Sequence, residues 1–308
     1  MRHSIRLPAL AVGLTLVALL TTAGCTDASA EGDGAAAPKA ESPTAAMPEV
    51  AVDEAAAALL PTDVKTKGTL SVASDASYRP FEYFDTDNKT ITGFDIDLTD
   101  AVGAKLGLKV RHVNAGFDSI LPGLAAKKYD IGASAFSITP ERAKTVDFVT
   151  YLRGGTGIAV KTGNPLGLKM EPKSLCGHAV SAQKGSVQGL SQLPEISKSC
   201  TEAGRKPVAI ELFPSQDGAN LAVVSGRVDA VMADTISLGI QAEASGGKFE
   251  LVDGPLYAPD RYGLAVPKNS PLKPALEAAV KAILSDGTVD ALMKKWEISE
   301  ASRIKGGS

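Results

Sequence analysis

From Thr69 onward, short apolar runs alternate with segments whose apolar residues recur every three or four positions, and this alternation limits what the chain can fold into. Strands of four to eight residues separated by helices build βαβ units, which require a largely parallel sheet covered by helices. The pattern predicts strands near 69–73, 108–113, 130–136, 155–161, 177–182, 207–212, 228–233 and 261–266. Helices are predicted near 95–106, 117–128, 186–197, 215–226, 234–245, 271–284 and 287–296. Two segments, Lys127-Lys128-Tyr129-Asp130-Ile131 and Gly226-Arg227-Val228-Asp229-Ala230, each follow a helix and open a buried strand, which suggests two similar halves. Those strands end on Ser134 and Asp234. In open α/β sheets ligands collect beyond the carboxyl ends of strands, so both are candidate site positions.

The N-terminus carries Arg2, His3 and Arg6, then an apolar run from Leu7 to Leu20, then Thr21-Thr22-Ala23-Gly24 before Cys25. This order predicts a signal peptide over 1–24, too short and too unevenly flanked for a membrane span. The stretch resembles a bacterial lipobox, with Thr22 where that motif usually has Leu; the resemblance implies cleavage before Cys25 and lipidation of its sulfur. Residues 25–60 are expected to form a lipid-anchored disordered linker, because up to about residue 50 they mix Ala, Gly, Pro, Thr and acids without an aromatic. The mature chain is then extracytoplasmic and held at the cell membrane by that anchor alone. Export places Cys176 and Cys200 in an oxidising compartment, as one disulfide worth roughly 3 kcal/mol or as two separate buried thiols. The net charge of −3, without a basic stripe, speaks against nucleic acid as a partner.

Catalytic patterns are missing: there is no phosphate-binding G-x-x-x-x-G-K-[ST], no H-E-x-x-H, no G-x-S-x-G and no paired C-x-x-C. Gly155-Thr156-Gly157 lacks the third glycine of a dinucleotide loop and reads as strand. His112 and His178 are far apart and have no ligand-like spacing, so neither metal nor cofactor is expected.

The run Gly93-Phe94-Asp95-Ile96-Asp97-Leu98, followed by Ala101-Val102-Gly103 and Leu106, reads by itself as a turn and a helix whose first acids suit its N-terminal dipole. It is joined at matching intervals by Ser74-Asp75-Ala76-Ser77-Tyr78-Arg79-Pro80-Phe81-Glu82, Phe117-Asp118, Ser134 to Arg142, Gln183-Lys184-Gly185-Ser186-Val187-Gln188 and Val231-Met232-Ala233-Asp234. Together, from about Leu60 to Trp296, these segments resemble extracellular solute-binding proteins of the polar amino acid family, family 3. The resemblance implies an α/β, periplasmic-binding-protein-like (Venus flytrap) fold: two lobes joined by two hinge strands, with ligand in the cleft. Lobe 1 would span 64–158 plus 256–308, and lobe 2 161–253. It also implies a monomeric, non-enzymatic substrate-binding component of an ABC importer. Such a component binds a polar or basic amino acid (glutamine, glutamate, arginine, lysine or histidine type) and delivers it to a permease and ATPase complex.

A zwitterionic amino acid needs a cation for its carboxylate and an anion for its ammonium. By resemblance Arg142 supplies the first with a planar fork, and Asp234 the second from the opposite lobe. By pattern alone, Arg142 reads as an arginine on an exposed helix behind a Thr139 cap, and Asp234 as a helix N-cap. Ser186 and Val187 open a helix whose backbone N–H groups could face an anion. Ser134 and Ser137 are expected beside the head group. Tyr78 and Phe117 would sandwich the ligand side chain, although pattern alone places both in the core. Asp75 would meet the far end of the side chain. Two other readings share the fold: a cyclohexadienyl or arogenate dehydratase, with Asp75 or Glu82 as general acid, and a ligand-sensing receptor subunit.

Overall fold

The computed structural model describes residues 49–304; the expected signal peptide and Cys25 lie outside them. The chain opens with α1 (Glu54–Ala58) and α2 (Thr62–Lys67), then β1 (Thr69–Ser74) and a small antiparallel sheet of β2 (Ser77–Tyr78), β3 (Glu82–Phe84) and β4 (Ile91–Thr92). There follow α3 (Phe94–Lys105), β5 (Lys109–Asn114), α4 (Phe117–Ala125), β6 (Ile131–Gly132) and the long β7 (Val146–Lys161). Next come β8 (Ala179–Gln183), α5 (Leu193–Glu202), β9 (Ala209–Phe213), α6 (Gln216–Val224), β10 (Ala230–Asp234), α7 (Thr235–Ala244) and β11 (Phe249–Leu251). The chain returns along β12 (Tyr257–Pro267) and ends with α8 (Lys273–Ser285) and α9 (Thr288–Lys295).

Two parallel groups form, β5-β1-β6 and β10-β8-β9, and β7 with β12 link them antiparallel into one hydrogen-bonded path. Apolar side chains sort the same way. One set of buried clusters draws on residues before 153 and after 261, including Leu70, Phe94, Tyr151, Leu264 and Leu276. The others lie between Ile158 and Phe249, including Val180, Ile196, Val231 and Leu238. The architecture is therefore two α/β lobes crossed by two strands.

The two similar segments have one structural job. Asp130 accepts hydrogen bonds from the Ser71 amide (2.7 Å) and hydroxyl (2.9 Å), and Asp229 accepts from the Ala179 amide (2.9 Å). Each carboxylate thus ties the entry of its strand to the neighbouring strand.

Three expectations change. Order reaches further toward the N-terminus than Pro61: Asp53 caps α1 through the Ala56 amide at 3.0 Å and donates its own amide to the Lys105 carbonyl at 2.8 Å. Ala56 is only 1% exposed, and α1 packs against α8. Alanine-rich composition resembled a spacer because small residues pack a shallow groove without aromatics. The strands expected at 155–161 and 261–266 are the ends of β7 and β12, whose polar and glycine-bearing middles concealed their length. The strand expected at 130–136 is hydrogen-bonded as strand only at Ile131–Gly132, because the chain turns out at Ala135, with φ of 43°.

Cys176 and Cys200 form a disulfide between the turn before β8 and α5, with Cys200 fully buried. Its sequence separation of 24 corresponds to roughly 3 kcal/mol of loop-closure stabilisation. Reduction, or the double substitution Cys176→Ala and Cys200→Ala, should lower the thermal midpoint by roughly 6–12 °C for a chain of this size, measured by circular dichroism.

Candidate functional site

The carboxyl ends of β1, β6, β8 and β10 converge where the lobes meet, and the candidate residues follow those ends. Asp75 follows β1, Ser134 follows β6, Ser186 and Val187 follow β8, and Asp234 closes β10.

Asp234 sits at the N-cap position of α7, but its side chain makes no cap hydrogen bond. Instead its Oδ2 accepts from the Tyr78 hydroxyl at 2.6 Å, across 156 residues of sequence and across the lobes. The Asp234 amide donates to the Tyr78 oxygen at 3.2 Å, and Oδ1 accepts from Gln188 Nε2 at 3.3 Å. Gln188 is itself fixed by Thr156 on β7 at 2.9 Å. Burial pushes the Asp234 carboxyl up to about 6, against the pull of the Tyr78 and Tyr262 hydroxyls, the Arg142 charge and Gln188.

Arg142 lies in a short 3₁₀ turn after Pro140, not on an extended exposed helix. It is half-buried; its amide donates to the Thr139 hydroxyl at 3.2 Å, as the cap reading anticipated. Its guanidinium reaches the Ser137 carbonyl at 2.8 Å in its own lobe and the Gly185 carbonyl at 3.0 Å in the other. The same group lies 5.6 Å from the Phe117 ring centre and 5.5 Å from that of Phe136, and these rings stack at 4.8 Å. Desolvation draws its pKa down to about 10, while Asp234 and Asp260 favour the charge.

A second group of charges surrounds Asp75. Its oxygens accept from the Phe117 amide at 2.7 Å, the Ser77 hydroxyl at 2.7 Å and, from the opposite lobe, Gln183 Nε2 at 3.2 Å. Burial raises its pKa, with the Asp118 charge adding to the rise and the three donors opposing it. Asp217 on α6 is likewise raised by burial, offset by Arg79 and reinforced by Asp75. Lys184 bridges to Asp118 at 2.8 Å, again between lobes.

Further bridges pass through the backbone. Ser237 donates to the Arg79 carbonyl at 2.7 Å, and the Gln216 amide donates to the Ser77 hydroxyl at 3.2 Å. Tyr78, Asp75, Arg142 and Asp234 thus lie at the seam of the two lobes.

The serines divide differently. Ser134 accepts from the Asp75 amide at 3.2 Å and donates to Glu82 at 2.7 Å. Glu82 and Asp95 are fully buried side by side; burial and the Asp95 charge raise Glu82 well above the usual carboxylate range, so that it can donate to Asp95, which burial lifts to about 6. Asp95 also accepts from the Ala135 amide and the Tyr151 hydroxyl, so it works inside the core. Ser186 closes its own turn: its hydroxyl and amide both donate to the Gln183 carbonyl, and the hydroxyl oxygen caps the Gly189 amide. Val187 is buried at the start of a π-helical turn, Gln188–Gln192, that runs into α5. Ser137 forms a bridge with Tyr262 of β12 and gives its hydroxyl to Asp260.

Gln183, Gln188, Gln216 and Asp260 join the site without having been singled out. The first two stand inside the motif after β8, where their amides could have been read as bridging donors. Asp260 stands in a segment with no recognisable pattern.

The chain matches the model of bacterial extracellular solute-binding proteins, family 3, over residues 70–299. It is 32% identical over 243 residues to the arginine-binding protein ArgT of Corynebacterium glutamicum, covering 79% of each chain. A solved ancestral arginine-binding protein bound to arginine superposes with a TM-score of 0.67 at 34% identity, covering 74% of this chain and 98% of that one. The ancestral amino acid-binding protein AncCDT-1, a precursor of cyclohexadienyl dehydratase, gives a TM-score of 0.67 at 32% identity, covering 76% and 97%. This chain belongs to the bacterial extracellular solute-binding proteins, family 3.

Proposed function

We propose that this chain is the substrate-binding component of an ABC importer, capturing a basic amino acid of the arginine type between its lobes and presenting it to a permease driven by a separate ATPase. The observation that carries the choice of ligand is the sorting of charge along the seam. At one end Arg142 and Asp234 stand on opposite lobes, complementary to a zwitterionic head group. At the other, Asp75 is held by three donors yet keeps a raised pKa, with Asp118 and Asp217 adding to the same field. A guanidinium there supplies the missing positive charge and several N–H donors at once.

In this reading Arg142 exchanges its hold on the Ser137 and Gly185 carbonyls for the ligand carboxylate, Phe117 lies along the side chain, and Tyr78 orients Asp234. Ser134 and Ser137 help the head group, and the backbone at Val187, presented by the turn that Ser186 closes, completes the anion end. Lobe 1 takes 64–158 with 256–308, and lobe 2 takes 161–253. Cys25 would carry the lipid that holds a monomer at the outer face of the cell membrane. Named relatives that bind arginine support this assignment. Binding is favoured over catalysis because both acids that the dehydratase reading offers are engaged: Glu82 by Ser134 and Asp95, and Asp75 by three donors.

Calorimetric titration should give tighter binding for arginine than for glutamine or glutamate. Asp75→Asn should weaken arginine by about 30-fold, as loss of one member of a buried charge pair does, while changing glutamine far less. Arginine binding no tighter than glutamate would refute the basic preference. Tyr78→Phe leaves Asp234 short of its 2.6 Å donor and removes a lobe-to-lobe bond, so arginine affinity should fall about tenfold or more in the same titration. Unchanged affinity there would show that the hydroxyl does not serve the bound state.

A further inference from the structure

The returning hinge strand β12 shifts register between Tyr257 and Asp260, and Ala258 within the shift has φ of 45°, a conformation that residues with side chains seldom adopt. Asp260 then pairs with Gly154 of β7, while Asp234 pairs with Thr156 on the other side of the same strand. Carboxylates from two strands therefore flank β7 at nearly the same level.

Asp260 and Asp234 repel each other, and Arg142 attracts both. The Ser137 hydroxyl donates to Asp260, and Tyr262 of the same strand lies close enough to feel both carboxylates. On its other side Asp260 borders a groove lined by Arg153 of β7, Glu243 of α7 and Glu297 beyond α9, with the Arg153 Nε donating to the Ala301 carbonyl. Asp260 Oδ1 is buried and has no hydrogen-bond donor among the described residues. A buried carboxylate oxygen without a donor is costly and rare in folded proteins. Arg142 does not supply one: its fork donates to the Ser137 and Gly185 carbonyls. Burial and repulsion from Asp234 push Asp260 up to about 7, more than the Ser137 hydroxyl and the Arg142 charge offset. What fits is a compact cation with several donors, placed beside Asp234 and separate from the Arg142 fork.

We propose that Asp260 is a second acceptor for the α-ammonium of the captured amino acid, which is held between the Asp234 and Asp260 carboxylates while Arg142 takes the carboxylate. The inference rests on the amino acid-binding function proposed above and adds a residue to it. Two carboxylates around one ammonium make the head-group end selective for α-amino acids over amine-free acids with the same side chain, because such an acid leaves both anions desolvated and uncompensated.

The test compares L-arginine with 5-guanidinopentanoic acid, which is arginine without its α-amino group, in wild type and in Asp260→Asn. Direct calorimetry suits arginine, and competition against it suits the weaker acid. Arginine should lose tenfold or more in Asp260→Asn, and the amine-free acid less than threefold. The thermal midpoint without added ligand should not fall, since the substitution is isosteric and removes the charge from a carboxylate whose Oδ1 has no donor. Arginine affinity within threefold of wild type would overturn the proposal, as would an equal loss for both ligands, which would make Asp260 a structural residue only. If the wild type bound no amino acid, the proposed function would fail and the ammonium site with it. Tight wild-type binding with an indifferent Asp260→Asn would overturn the ammonium site alone.

Discussion

Everything at the seam depends on one buried carboxylate, Asp234. A charge withdrawn from water at the end of a central strand must be met by donors, and neither lobe supplies enough of them. Tyr78 comes from a short strand near the start of the other lobe and Gln188 from the turn after β8, while the Tyr262 hydroxyl of the returning hinge strand lies close enough to favour the charge. The requirement reaches into the hinge itself. A Cβ on Gly154 would lie 2.2 Å from the Tyr262 hydroxyl, so glycine in the middle of β7 is what leaves room for that ring beside the seam. The glycine pair that made this strand hard to recognise therefore has a packing role at the hinge.

Local periodicity exposed most of the framework, because the parallel strands are short, apolar and separated by helices with clear repeats. It also exposed the internal repeat, for which the structure supplies the cause: Asp130 and Asp229 perform the same strand-tying role in each lobe. Elements stabilised by distant partners were less legible. The helix of Glu54–Ala58 gains its place from distant partners, the Lys105 carbonyl that Asp53 meets and a helix more than two hundred residues away that covers it. The hinge strands run past the limits of their apolar segments because each is hydrogen-bonded to the other, and neither sequence alone carries that information.

The site was legible where a motif fixed both residue and context, as at Asp75, Tyr78, Arg142 and Asp234, which the fold brings to the seam. Ser186 stood out for its place at a helix entry, but a hydroxyl three residues past a strand end readily closes its own turn, and it does so here. Asp95 and Asp97 could be kept out of the site on the same kind of local argument. Asp95 works beneath the seam with Tyr151, and Asp97 accepts from the Trp296 indole at 2.7 Å. Asp260 left no signal, because its environment is made by a register shift and by strands from both halves of the chain.

That register shift also bears on how the lobes can move. β7 and β12 pair from Val146 with Pro267 to Thr156 with Tyr257, so relative motion cannot be spread along the ladder without breaking backbone hydrogen bonds. It concentrates where the ladder is already irregular, between Tyr257 and Asp260, opposite Gly154 and Gly155, and again between Tyr262 and Gly263. A Cβ on Gly155 would stand 3.1 Å from Leu256 and 3.2 Å from Pro259, so the absence of side chains there is what keeps the two segments in close approach. Asp260 occupies the end of this irregular stretch and shares its field with Asp234 and Arg142. One point where the ladder is irregular is therefore also a point where charge in the seam is felt. A cation placed between the two carboxylates would act on the hinge directly, with no need of a chain of intervening contacts.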